Sequence, residues 1–133
     1  MIARVWHGIV PLEKAEGYGN YLADSDRGVS DYERTPGNRG AYLMRRTEGE
    51  QVHFLFISLW DSRESIKAYA GEDIDRPRYF PYDRECLVDP EPYVRHYEVL
   101  VSAGPDAESA RAAGVDIAGA DYNLFGTPAP ALR

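Results

Sequence analysis

Apolar and polar positions alternate with two different periods along the first hundred residues. Ile2-Ala3-Arg4-Val5-Trp6-His7-Gly8 is rich in β-branched and aromatic side chains and predicts a first strand over Ile2 to Gly8. Leu12, Ala15, Tyr18, Tyr21, Leu22, Ser25 and Val29 then recur at three-and-four spacing, which is one face of a helix. Pro11 suits the first turn of that helix, where its missing N–H costs nothing. Gly17 and Gly19 each weaken the helix by about 1 kcal/mol. They either let a neighbour approach closely or loosen the helix. Thr35 to Gly40 is dense in turn residues and closes the helical region.

Two further strands, Gly40 to Arg46 and Val52 to Trp60, flank a turn at Glu48-Gly49-Glu50. His53 to Trp60 is nearly continuous in apolar residues, the pattern of a strand buried on both faces. Asp61 stands three residues before Glu64, a capping-box spacing that places Asp61 at the N-cap of a second helix. Ile66, Tyr69 and Ala70 form its buried stripe, and Gly71 stops it. The segment from Glu72 to Pro81 is charged and broken by prolines, and Asp83 to Leu87 suits one short helical turn. Pro90 and Pro92 lead into a last strand, Val94 to Val99. The order β-α-β-β-α-β predicts an α+β, ferredoxin-like subunit with one sheet face left to be covered. In the first strand Ala3, Val5 and His7 share a small apolar face, while Ile2, Arg4 and Trp6 share a larger amphipathic one. That contrast places His7 under the helices and the Arg4–Trp6 side in a wet barrel or at a subunit interface.

Beyond Leu100 the composition shifts to Ala, Gly, Pro and Asp, with no strand signal. Residues 1–100 therefore read as the domain. Residues 101–133 read as a C-terminal extension packing on the domain or the partner subunit, with one weak helix at Asp106 to Ala113 and an anchor in Tyr122, Leu124 and Phe125. A chain of 133 residues holds one core of ordinary size. With 44% hydrophobic and 28% charged residues it is a globular chain. A net charge of −7 repels phosphate backbones, so no nucleic-acid partner is expected. Cys86 is the only cysteine, which excludes an internal disulfide or a zinc knuckle, and it reads as an inert, partly buried residue. Met1 leads straight into a strand, and the apolar run Phe54 to Trp60 is too short to span a bilayer. A cytoplasmic protein without a membrane partner is the expectation.

Three segments carry a family likeness: Pro36-Gly37-Asn38-Arg39-Gly40-Ala41-Tyr42, Ser58-Leu59-Trp60-Asp61-Ser62-Arg63-Glu64-Ser65-Ile66 and Val94-Arg95-His96-Tyr97-Glu98-Val99. They resemble the antibiotic biosynthesis monooxygenase family. The resemblance covers residues 1–100 and implies a homodimeric α+β barrel built from ferredoxin-like subunits. The family includes cofactor-independent quinone-forming oxygenases, haem-degrading enzymes and members without known activity. The haem-degrading branch uses a first-strand Asn, near whose position His7 stands here. It also uses a haem-ligating His on or after the second helix. No His lies between Trp60 and Arg95; Tyr69, Tyr79 and Tyr82 occupy that region. The resemblance thus implies no haem degradation and leaves haem binding through a Tyr or His7 open.

A cofactor-free oxygenase needs a base, donors that hold a substrate anion, and a dry aromatic pocket. Histidine suits the base, and Arg and Tyr suit the anion. His7 is the candidate base; its alternative is a core histidine satisfied by hydrogen bonds. Tyr18 and Tyr21 line the cavity or simply pack. Trp60, where strand meets helix, is a pocket wall or core. Arg39 reaches a substrate anion or forms a surface salt bridge. Arg95 and His96 alternate across the last strand, so only one of them, His96 in this reading, faces the pocket. Tyr82 closes the run Arg76-Pro77-Arg78-Tyr79-Phe80-Pro81-Tyr82, a lid with aromatic tips or a surface loop. The three histidines show no metal-ligand spacing, and no flavin, nicotinamide or P-loop fingerprint is present, so neither a metal nor a cofactor is expected. The leading function is a cofactor-independent monooxygenase acting on a phenolic or polycyclic small molecule. An isomerase, cyclase or decarboxylase using the same pocket is the second reading, and a non-catalytic ligand- or haem-binding dimer the third.

Overall fold

The computed structural model describes residues 1–24, 35–104, 112 and 114. The chain enters as β1 (Ile2–Pro11), makes one 3-10 turn (Leu12–Lys14) and continues as α1 (Ala15–Asp24). There follow β2 (Asn38–Glu48), β3 (Gln51–Trp60), α2 (Arg63–Ala70), α3 (Pro81–Cys86) and β4 (Arg95–Glu98). The strands pair in the order β2-β3-β1-β4, antiparallel throughout, which is the expected ferredoxin-like α+β arrangement. Among the described residues no helix is long and apolar enough to cross a membrane. Ser25, Val29, the weak helix at Asp106 to Ala113 and the anchor Tyr122, Leu124 and Phe125 lie outside the described residues.

The helices cover one face of the sheet. Val52, Phe54, Phe56, Ser58 and Trp60 point to it from β3 and are buried, while the residues between them are only partly covered. β3 is therefore buried on one face rather than two within this chain. Tyr18 and Leu22 of α1 pack on Val10, Val52 and Phe54, together with Cys86 and Leu87. Ile66 of α2 packs on Phe56 and Trp60.

Register settles which face of β1 is inside, and it reverses the expectation. Trp6 stands opposite Phe56, and His7 opposite Leu55. Arg4, Trp6, Gly8 and Val10 therefore face the helices, and Ala3, Val5, His7 and Ile9 face away. The amphipathic side goes inward because its polar ends find partners there. Arg4 Nη1 donates to the Ile74 carbonyl at 2.6 Å, and Trp6 Nε1 donates to the Tyr79 hydroxyl at 3.1 Å. Gly8 makes room for the indole: a Cβ there would lie 2.4 Å from Trp6 Cη2.

Smaller differences have local causes. β1 runs on to Pro11, which pairs with Gln51 and leads into the 3-10 turn instead of opening α1. The hairpin turn is two residues, with Gly49 at φ +62°, a conformation that favours glycine. The N-cap of α2 is Ser62, whose Oγ accepts from Ser65 N–H at 3.2 Å. Asp61 is drawn away to Arg39. Gly71, at φ +86°, ends α2 as expected.

Candidate functional site

Between the helix-facing side of the sheet and the helices lies a cavity of about 130 Å³. Arg4, Trp6 and Phe56 line it from the sheet, and Tyr18, Tyr21 and Leu22 from α1. The run Arg76 to Phe80 closes it from above, and Asp83 enters from the first turn of α3. Nearly half of the wall is aromatic; it holds one buried cation, Arg4, and one buried anion, Asp83, with the exposed Arg76 and Arg78 at its rim.

Each charge is held differently. Asp83 is 5% exposed, accepts from Tyr18 O–H at 2.8 Å on Oδ1, and accepts from Phe80 N–H at 2.8 Å on Oδ2. Those bonds satisfy a carboxylate that burial would otherwise penalise. Burial first, and the Asp83 charge second, push the Tyr18 phenol far above its ordinary range, so it stays a proton donor. Tyr79 is also raised by burial; its hydroxyl donates to the Glu91 carbonyl at 2.7 Å and accepts from Trp6. Arg4 is equally buried, at 5% exposed, but incompletely paired. Nη1 is engaged, whereas Nε has no hydrogen-bond partner. A buried guanidinium with a free donor is an unmet demand for an acceptor.

His96 backs Arg4 from β4. Arg4 Nη1 can only donate, so His96 Nε2, 3.3 Å away, is the acceptor. The ring proton then sits on Nδ1, 3.1 Å from Asp75 Oδ1. Burial, and then the Arg4 charge, hold the His96 pKa below the ordinary histidine value, which keeps the ring neutral.

Of the residues proposed from the sequence, Tyr18 and Tyr21 line the cavity. His96 touches it only through Arg4. Tyr82 packs edge-on against Tyr21, with ring centroids 4.8 Å apart, outside the lining. Trp60 is fully buried core, donating from Nε1 to Ser58 Oγ at 2.8 Å. Arg39 forms a bidentate pair with Asp61, at 2.5 and 3.1 Å, and does not reach the cavity. His7 is on the opposite face of the sheet, bonded to Glu91 and His53. It cannot serve as a base in the cavity between sheet and helices, and that expectation is corrected by the register of β1. Sequence reasoning missed Arg4, Trp6 and Asp83. Among the described residues no group of three or more His, Cys, Asp or Glu side chains is gathered to hold a metal ion.

No protein-family model matches the chain, and no curated protein sequence matches it. Solved structures do. The haem-degrading protein MhuD (Rv3592) of Mycobacterium tuberculosis, solved with two haems bound in its active site, is 21% identical with a TM-score of 0.54; the match covers 78% of this chain and 100% of that one. Rv0793 of the same organism is 17% identical with a TM-score of 0.52, again covering 78% of this chain and 100% of that one. This likeness shows the fold alone, a ferredoxin-like α+β fold.

Proposed function

We propose that the cavity binds a small, single-ring phenolic or enolic metabolite as its anion, and that the protein acts on it as a cofactor-independent monooxygenase. The observation that carries this reading is Arg4, a buried guanidinium with an unpaired Nε on a wall of aromatic rings. A dry cavity of about 150 Å³ takes benzene, so 130 Å³ suits a small aromatic molecule rather than an extended polycycle.

Haem, which MhuD binds, does not fit. The cavity is far smaller than a porphyrin, no histidine lines it, and the hydroxyls of Tyr18 and Tyr79 are already donating to Asp83 and Glu91.

With His7 on the other face, Asp83 is the proton acceptor. The substrate O–H proton passes to its carboxylate, and Arg4 holds the resulting oxyanion, which lowers the cost of that transfer. The electron-rich anion gives one electron to dioxygen, and the two radicals combine to a ring peroxide. Asp83 returns its proton to the peroxide; as the O–O bond breaks, the hydrogen on the peroxide-bearing ring carbon leaves as a proton and joins the departing hydroxide, leaving a quinone and water. Phenol and dioxygen on one side balance quinone and water on the other. Tyr79 and Phe80 cover the anion from above during these steps.

Calorimetry with phenol, and an oxygen electrode, test this. Arg4→Met removes a charged hydrogen bond worth about 2 kcal/mol, so affinity falls about 30-fold. Asp83→Asn keeps measurable binding and loses oxygen uptake. Binding that Arg4→Met leaves unchanged overturns the reading. Product formed without oxygen transfers the protein to the isomerase, cyclase or decarboxylase class.

The chain works as a homodimer. Val5, Ile9, Leu55, Ile57, Tyr42 and Met44 share the sheet face that the helices leave open, and Tyr42 and Met44 are 53% and 43% exposed. Such a face is a liability unless a second copy covers it. Light scattering should give twice the chain mass, and Ile57→Lys half of that; a monomeric wild type at micromolar concentration removes the dimer.

A further inference from the structure

Four ionisable side chains meet in a row on the open face of the sheet. The Glu91 carboxylate is hydrogen-bonded to His7 Nδ1. His7 Nε2 and His53 Nδ1 face each other at 2.9 Å, with ring planes 26° apart. His53 Nε2 lies 3.1 Å from Glu48 Oε2, which Arg46, opposite His53 in β2, also holds at 3.0 Å. Arg95 and Tyr97 of β4 and Tyr42 of β2 are the other titratable groups that the register places on this face; the helices pack on the other side.

Proton counting fixes the state of this row. Carboxylates only accept, and a neutral imidazole offers one N–H and one lone pair. The two hydrogen bonds joining Glu91, His7 and His53 need two ring N–H groups, and two neutral histidines supply them: His7 donates from Nδ1 to Glu91 and accepts on Nε2 from His53 Nδ1. A further ring proton on His7 Nε2 sets two N–H groups against each other between the rings, whereas one on His53 Nε2 faces the Glu48 carboxylate.

Glu91 connects this row to the cavity. β4 pairs with β1 only as far as Val5, and beyond it the chain around Glu91 runs beside the uncovered edge, where Val88 N–H bonds the Ile9 carbonyl at 2.8 Å. The Glu91 side chain is thus fixed on the open face. Its own carbonyl accepts from Tyr79, and Tyr79 accepts from Trp6, both of which line the cavity.

We propose that Glu91, His7, His53 and Glu48 form a proton-set latch that positions Tyr79 and Trp6 in the cavity wall from the opposite face of the sheet. His7 and Glu91 are positioning residues, and the inference rests on the wall itself, whatever ligand the cavity takes. Nitrogen-15 NMR of the full chain tests it. His96 also titrates beside Arg4, so the comparison is made in a His96→Gln background. Between pH 5 and 9 the Trp6 indole N–H resonance should move with the titration of the His7–His53 pair. The Trp60 indole, bonded to Ser58, serves as the fixed reference. In His53→Gln, which keeps a polar side chain and cannot titrate, the movement of the Trp6 signal should fall at least threefold. Glu48→Gln, at a position 61% exposed in its side chain, is the second variant should His53→Gln not fold; it removes the carboxylate that faces His53 Nε2, so the pH response of the Trp6 signal should differ from that of its parent. A Trp6 signal that stays still while the pair titrates, or moves equally in the available variant and its parent, overturns the latch. None of these outcomes depends on phenol binding, so the latch and the proposed activity fail separately.

Discussion

Replacing Gly8 by alanine tests at once which face of β1 is inside and what builds the cavity wall. The new Cβ would lie 2.4 Å from Trp6 Cη2, 2.5 Å from Trp6 Cζ2 and 2.8 Å from Leu87 Cδ2. Carbon atoms in contact sit at about 3.5–4.0 Å, so the indole must retreat by about 1 Å. Overpacking of this kind costs about 1–3 kcal/mol. Moving the indole also loses its hydrogen bond to Tyr79, about 1 kcal/mol. Alanine recovers about 0.5–1 kcal/mol through the less flexible unfolded chain. The net destabilisation is about 2 kcal/mol, which lowers the urea midpoint by about 1 M for a slope of about 2 kcal/mol/M. In a Trp6→Leu background the cost of Gly8→Ala should fall below half, leaving the Leu87 contact, and the double-mutant cycle isolates that coupling. An unchanged midpoint, or the same loss with and without Trp6, would refute the placement of the indole over Gly8.

Three other outcomes follow from single contacts. Ser62→Ala removes the N-cap of α2 and should cost about 1 kcal/mol in urea unfolding, whereas Asp61→Ala should leave the cap intact and release Arg39. The Tyr18 phenol is raised in the folded state, so above about pH 10 the unfolded chain loses a proton that the folded one keeps; this group lowers stability by up to about 1.4 kcal/mol per pH unit there, and Tyr18→Phe should reduce the slope by that share, leaving the part that Tyr79 contributes. His96 is depressed in the folded state, so as pH falls below about 6.5 the unfolded chain gains a proton first and stability declines, an acid slope that His96→Gln should flatten.

The element order was legible because each boundary carries its own chemistry. Gly49 at the hairpin and Gly71 after α2 sit where positive φ is required, and both stops fall where glycine predicts them. The second cap misled by one residue because Asp61 and Ser62 are both good N-caps, and the sequence does not show that Arg39 claims the carboxylate. The run read as a lid or a surface loop lines the cavity from Arg76 to Phe80, whereas Tyr82 turns away to pack on Tyr21.

The face of β1 was lost for a more instructive reason. Strand alternation separates two faces and does not say which is inner. Size and polarity favoured Ala3 and Val5 as the buried set, yet both lie on the open face. The sign that decides it is Gly8, two residues beyond Trp6 on the same side. A glycine there serves no turn; it is the floor on which a large side chain lies, and a large side chain needs such a floor only when something else presses it down. Followed two residues further, the same side reaches Val10, which is fully buried. Arg4 then belongs to the inner face by parity. An arginine on an inner face without a carboxylate contact to absorb all its donors is where an acidic ligand is wanted, so the step from Gly8 to Arg4 leads to the cavity that the prominence of His7 concealed.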